Sequence, residues 1–195
     1  MFGQQDHKEP YAGEDPGAGK VLIANPFLKD PNFSRSVILL CEHRSEGSFG
    51  FVFNRLFTQT LDDLIAEPVP EGIPVYLGGP VQMDTLHFIH RVPRLIEGGV
   101  KVLSGIYWGG DFERAIELLN MGMINGSQIK FFIGYAGWNS GQLATEMQEN
   151  SWIVSRVTRK LLFDETGSNV WTESLRSMGD EFALMANYPV DPSLN

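Results

Sequence analysis

Cys41 and His43 stand two apart and His87 and His90 three apart, and these are the side chains best suited to hold a soft metal. A zinc ion needs such ligands converging on one point. The run Leu86 to Val92 reads as a strand, where residues three apart face opposite sides, so His87 and His90 would not share an ion. Local satisfaction of each histidine accounts for the pattern better, and neither a metal nor a cofactor is expected.

Nucleophile and phosphate chemistry fare no better. Gly137-Trp138-Asn139-Ser140-Gly141 lies in a strand-to-helix context, but the spacing is not GxSxG, and the last histidine, His90, precedes Ser140 instead of following it. Ser140 is better read as a helix cap. Gly19-Lys20 lacks the earlier glycine of a phosphate loop, because position 14 is Glu14, and Val21 stands where Ser or Thr is needed.

What remains are polar groups and glycines at element ends, among them Asn25, which usually serve only as caps and turn bonds. If the ends meet, Asn54, Arg55, Gly78, Gly79, Tyr135, Trp138 and Gln142 would form a concave ligand-binding site with one cation, amide donors and aromatic walls. His90 is the one candidate acid or base, and no catalytic residue is assigned.

The elements that must position these residues centre on Phe131 to Trp152. Ile129 to Tyr135 is an apolar strand-like run, and Leu143 and Met147 share a helix face. Gly134, Gly137 and Gly141 lie between them as a tight turn, with Asn139 or Ser140 capping the helix. Upstream, Lys20 to Ala24 reads as a strand. Val37 to Cys41 is a strand covered on both faces, since it has no polar alternation, and Phe49 to Phe53 pairs with it as a hairpin. Thr60 to Ala66 is a short capped helix, Val75 to Leu77, Leu86 to Val92 and Val100 to Ser104 are strands, and Asp111 to Met121 is the clearest helix, with Gly122 at its end. Trp152 to Val157 is a further strand, Leu161 to Phe163 is either strand or a single turn, and two short helices follow around Trp171 and Phe182. The fold class is α/β with an α+β tendency: one domain over residues 20–195, a mixed sheet with flanking helices, and partial closure toward a barrel as a variant. Met1 to Gly19, almost without aliphatic residues, is expected to be a disordered polar tail.

The totals narrow the function classes. Of 195 residues, 43% are hydrophobic and 20% charged, ordinary for a globular chain. A net charge of −9, with 15 scattered lysines and arginines, disfavours nucleic acid as a partner. No apolar run approaches the roughly 20 residues of a membrane span, and the first residues lack a leader's apolar stretch. A cytoplasmic location and no membrane partner are therefore expected. The single cysteine, Cys41, excludes an intrachain disulfide and fits a reducing compartment.

Several strings, in order, resemble the AlgH/YqgE family of uncharacterised bacterial proteins: KVLIANPFLKDPNFSRSVILLCEH, GFVFNR, YLGGPV, FFIGYAGWNSGQLATEMQENSWIV, LLFD and W…SLRSMG. The similarity runs from about Lys20 to Gly179. It implies a single α/β domain with a mixed, barrel-like sheet, and little about activity, although some members carry a transcriptional-regulator label. The family pattern falls here on Cys41-Glu42-His43, Asn54-Arg55, Gly78-Gly79-Pro80-Val81, Gly134 to Trp138, Gly141-Gln142-Leu143 and Asn150-Ser151-Trp152. Leu56 replaces the proline that usually follows Asn54-Arg55, and at Ser140 the family commonly has alanine or proline, which argues against a catalytic serine.

The expected function is a non-enzymatic binding or regulatory module with a protein or small-molecule partner. The alternative is an enzyme acting on an anionic or acyl substrate, with Arg55 and the helix start at Gly141 holding the anion and His90 as acid or base.

Overall fold

Val37-Ile38-Leu39-Leu40-Cys41 supplies apolar side chains to both sides of a strand, and the sheet built around it is covered on both sides. The computed structural model describes residues 14–163 and 169–188. Three antiparallel strands open the fold: β1 (Lys20–Ala24), β2 (Val37–Arg44) and β3 (Gly47–Val52). Ile38 and Leu40 enter one core cluster with Trp138, Leu143 and Trp152. Val37, Leu39 and Cys41 enter another with Phe51, Trp171 and Leu175. The hairpin and the double burial are as the sequence predicts.

The chain continues through β4 (Leu56–Thr60), α1 (Leu61–Leu64), β5 (Pro74–Leu77), β6 (Val81–His90), β7 (Val100–Leu103) and β8 (Ile106–Trp108). The helix α2 (Phe112–Asn120) starts where Asp111 accepts a 2.9 Å bond from the Arg114 backbone N–H. Gly122, at φ 66°, ends it. Its buried face, Ala115, Ile116, Leu118 and Leu119, packs on Phe88, Phe131 and Ile133.

β9 (Ile129–Asn139) is the spine. Its second half pairs with β3, its first half runs parallel to β5, and β6 lies along its other edge. The tight turn expected at Gly134 to Gly141 is a strand as far as Asn139, because Gly134 takes φ 64° as a kink within the ladder instead of ending it. After β9 come α3 (Gln142–Gln148), β10 (Trp152–Arg156), α4 (Arg159–Leu162), α5 (Val170–Arg176) and α6 (Asp180–Met185). Leu161 to Phe163, open between strand and turn in the sequence, belongs to the α4 region.

The sheet has ten strands, in the order β10-β1-β2-β3-β9-β6-β8-β7, with β5 and β4 beside β9. It does not close into a barrel: among the described residues β10 and β7 each lack a partner on their outer edge. One face is covered by α2 and α3, the other by α4, α5 and α6. Of the tail expected over Met1 to Gly19, residues 1–13 lie outside the described residues. In the remainder Glu14 pairs with Lys20 and Arg156, and the Gly19 N–H donates to the Leu40 carbonyl.

Candidate functional site: an aromatic cavity on the face of β9

Two irregularities in the ladder decide which side chains gather. Between β2 and β3, Leu40 pairs with Gly50 and Glu42 with Phe49, so Cys41 is the extra residue of a bulge. The alternation of β2 changes there, and Glu42 and Arg44, not His43, come to lie beside Phe49. Gly134 does the same in β9. Phe132 and Tyr135 are three apart yet both pack against the cluster that holds Phe51.

These shifts form a cavity of about 650 Å³ where the cover of α4, α5 and α6 runs out. Its walls are rings: Phe49 from β3, His87 from β6, Trp108 from β8 and Tyr135 from β9. Phe49 stands edge-on to Trp108, with centroids 4.7 Å apart at 63°, and to Tyr135 at 6.1 Å and 80°. The His87 ring is perpendicular to Tyr135 at 6.0 Å. Glu42, Arg44 and Glu46 stand at the mouth, with Val81 and Gln82 opposite.

Charge is placed only at that mouth. Arg44 lies 2.9 Å from Glu42 in an exposed pair, which contributes little to stability. The Glu46 carboxyl is held below its usual range by its own backbone N–H and by Ser45. Burial pushes the His87 pKa down, so the ring is neutral at pH 7, and its buried Nε2 has no hydrogen-bond partner among the described residues.

The residues singled out from sequence are distributed differently. Tyr135 lines the cavity. Trp138 borders it, but its indole belongs to the opposite face, stacked with Phe33 and edge-on to Trp152, with Nε1 donating to Glu146 at 2.8 Å. Glu146 also accepts from Trp152 Nε1 at 2.7 Å and from Gln142 Nε2 at 3.0 Å. The Gln142 Oε1 accepts from the Asn139 N–H, so this side chain closes the turn into α3. Ser140 is not the cap: its hydroxyl donates to the Ser45 carbonyl, and Gly141 holds the cap position.

Asn54 and Arg55 tie down the loop before β2. Asn54 accepts from the Val37 N–H and donates to the Arg35 carbonyl. The Arg55 guanidinium donates to the carbonyls of Pro31, Asn32 and Ser34. Asn25 accepts from the Phe27 N–H in the same loop. Gly78 and Gly79 are where backbone meets backbone: a Cβ would lie 2.4 Å from the Gly134 carbonyl oxygen at Gly78 and 2.2 Å from the Tyr135 carbonyl carbon at Gly79. The structure therefore joins Tyr135 and Trp138 to the cavity and gives the other five scaffold roles.

His90 is fully buried on the α2 side of β6, its Nδ1 accepting from the Val92 N–H at 3.3 Å. It does not share a cleft with Arg55, so the acid or base arrangement weighed from sequence is not assembled. His87 and His90 face opposite sides, as their spacing predicts. Among the described residues no group of three or more His, Cys, Asp or Glu is placed to hold a metal. Burial also pushes the Cys41 thiol up, which keeps it protonated.

Phe49, Trp108, Glu42, Arg44 and Glu46 were not anticipated as site residues, and His87 was weighed only as a ligand. For Glu42 and Arg44 the signal would have been the alternation of β2, which the bulge at Cys41 resets without announcing itself in the sequence, while Phe49 and Trp108 join the site only through the pairing of β3 and β8 with other strands.

An open mixed sheet flanked by helices, with an aromatic cavity where the cover ends, defines an α/β protein with a small-molecule-sized pocket and none of the standard nucleotide loops. The chain belongs to the AlgH-like family, whose model matches residues 21–183. It is 42% identical over 179 residues to a UPF0301 protein of Chlorobium limicola, covering 91% of this chain and 95% of that one. A UPF0301 protein of Cytophaga hutchinsonii is 39% identical over 178 residues, covering 91% and 98%. The solution structure of the AlgH protein from Pseudomonas aeruginosa is similar, with a TM-score of 0.71 and 26% identity over 88% of this chain and 94% of that one. A crystal structure of a Corynebacterium diphtheriae protein shares the fold, with a TM-score of 0.73 at 24% identity over 90% of this chain and 94% of that one. No helix among the described residues is long and apolar enough to cross a membrane.

Proposed function

We propose that the chain is a cytoplasmic, non-enzymatic binding or regulatory module that takes a small molecule in the cavity walled by Phe49, His87, Trp108 and Tyr135. The observation that carries this reading is the cavity itself. Its volume of about 650 Å³ lies in the range of small-ligand sites, and its rings offer apolar contact with a few polar groups at the mouth. Cys41 is kept protonated and Ser140 is bonded to a backbone carbonyl, and the serine that does line the cavity, Ser48, has its hydroxyl 2.6 Å from His43 Nδ1 in an exposed contact at the rim, away from the ring walls. The acidic net charge gives no support to direct contact with DNA, so a regulatory role would run through a ligand or a protein partner.

A thermal-shift screen of small cationic, neutral and anionic compounds, followed by backbone and indole NMR, tests the reading. Binders are expected to perturb the Trp108 indole signal and amides around Tyr135 and Ser48. The reading fails if no compound perturbs those signals, or if every binder maps to another surface.

A further inference from the structure

We propose that the cavity selects a small organic cation of the methylated or quaternary ammonium kind, held against the faces of Trp108, Tyr135 and Phe49 with Glu46 at the mouth. This inference rests on reading the cavity as a binding site and goes on to name the ligand's chemistry.

Ring geometry argues against a flat ligand inserted between two of the rings. A planar ring sandwiched between two others needs about 7 Å between them, twice the ~3.5 Å contact distance of carbon atoms. Here the centroid separations are 4.7 Å for Phe49 and Trp108 and 6.1 Å for Phe49 and Tyr135. The rings are also steeply inclined to one another, at 63° and 80°, so they wall a corner instead of bounding a slot. A compact group fits a corner, and the electron-rich faces of Trp and Tyr favour a positive one.

The charges point the same way. Arg44, the one basic side chain at the mouth, is paired with Glu42, so the three charged residues Glu42, Arg44 and Glu46 leave the lining net negative. Among the described residues Glu46 forms no salt bridge with a basic side chain, although the nearby Arg44 charge helps to keep its carboxyl ionised. It is a fixed negative charge at the entrance, and the neutral His87 ring adds no opposing charge inside. A methylated ammonium is also weakly hydrated beside a primary amine, so it gives up less on entering an aromatic corner.

The test compares choline with 3,3-dimethylbutan-1-ol, which has the same shape and no charge, together with acetate, by NMR titration of the full chain. Choline is expected to shift the Trp108 indole and Tyr135 neighbours and to bind at least tenfold tighter than the alcohol. Glu46→Gln, an exposed change, is expected to weaken choline about threefold, and Trp108→Leu at least fivefold, with Trp108→Phe as the fold-preserving control. If the alcohol or acetate binds in the cavity as well as choline does, the site reading stands and the cation inference is overturned. If none of the three binds there and the wider screen is also empty, both fall.

Discussion

The two faces of β6 invite comparison through His87 and His90. Both imidazoles are buried enough for desolvation to lower their pKa, and both lie among rings. His90 is sealed: the Tyr107 ring stacks on it at 5.8 Å, Phe88 lies at 5.9 Å, Val92 donates to its Nδ1, and the Gly109 backbone partly opposes its pKa shift. His87 lies under the end of the helical cover, beside rings that are only partly buried and a cavity that opens to solvent. The same residue type on one strand thus serves packing on one side and lines a candidate site on the other. What separates them is which helices reach that part of the sheet.

The largest test of this contrast is deletion of each ring. His90→Ala is expected to cost about 3 kcal/mol, because it leaves a packing void and strands the Val92 N–H. His87→Ala, at the edge of an existing cavity, should cost about 1 kcal/mol. Urea denaturation of both variants decides it, and equal losses would break the comparison. A milder pair uses added methyls. At Gly99 a Cβ would meet His90 Nε2 at 2.8 Å and the Gly109 carbonyl at 3.1 Å, and Gly99→Ala should cost about 2 kcal/mol by overpacking. At Gly137 the nearest atoms are the edge of the Tyr135 ring at 3.1 Å and Val81 at 3.9 Å, so Gly137→Ala should cost less than about 1 kcal/mol while crowding the cavity and weakening its ligand.

Sequence reading succeeds where one pattern decides an element. The unbroken apolar run of β2, the Asp111 cap with Gly122 beyond α2, and the opposite facing of His87 and His90 all follow from local rules. It fails where tertiary contact overrides them. β4, Leu56-Phe57-Thr58-Gln59-Thr60, is mostly exposed and carries no periodic signal, and is a strand only because β5 pairs with it. Gly134 has the composition of a turn but is held in the ladder by β6. The polar side chains at strand ends did convert into bonds, yet for Asn54, Arg55 and Gln142 the partners are backbone groups and neighbours of the scaffold. The aromatic site could not be read because its members come from four strands brought together only by tertiary pairing, and because Tyr135 and the mouth residues Glu42 and Arg44 face it only through the Gly134 kink and the Cys41 bulge.

Acid titration sharpens the contrast without mutation. Both folded-state pKa values lie below the ordinary 6.5, so the unfolded chain binds protons first as pH falls. Stability is then fully present above 6.5 and is lost as pH drops through 6.5 toward the lowered values, each histidine contributing at most about 1.4 kcal/mol per pH unit. Cys41 has the opposite sign: its raised pKa costs stability only as pH rises past the ordinary 9.0, where the unfolded thiol ionises. Denaturation midpoints from pH 5 to 10 should plateau between these limits, and His87→Phe should flatten the acid limb. An acid limb unchanged in that variant would assign the whole loss to other groups.

The smallest expected effect on stability is at the cavity mouth, where function and folding part company most cleanly. Glu42 and Arg44 are 2.9 Å apart, with side-chain exposures of 41% and 68%, a pair that solvent screens on both sides. Glu42→Gln should therefore change stability by no more than about 0.5 kcal/mol. It also frees the Arg44 guanidinium beside Phe49 and Glu46, which turns the mouth from net negative toward neutral. A cationic ligand should then bind more weakly and an anionic one more strongly, with both differences shrinking as salt is raised. Titrating the variant with choline and with acetate at low and high salt reads this directly. A variant that melts like the parent yet treats both probes as the parent does would show that the mouth charges play no part in selection, leaving the rings alone to define what the cavity holds.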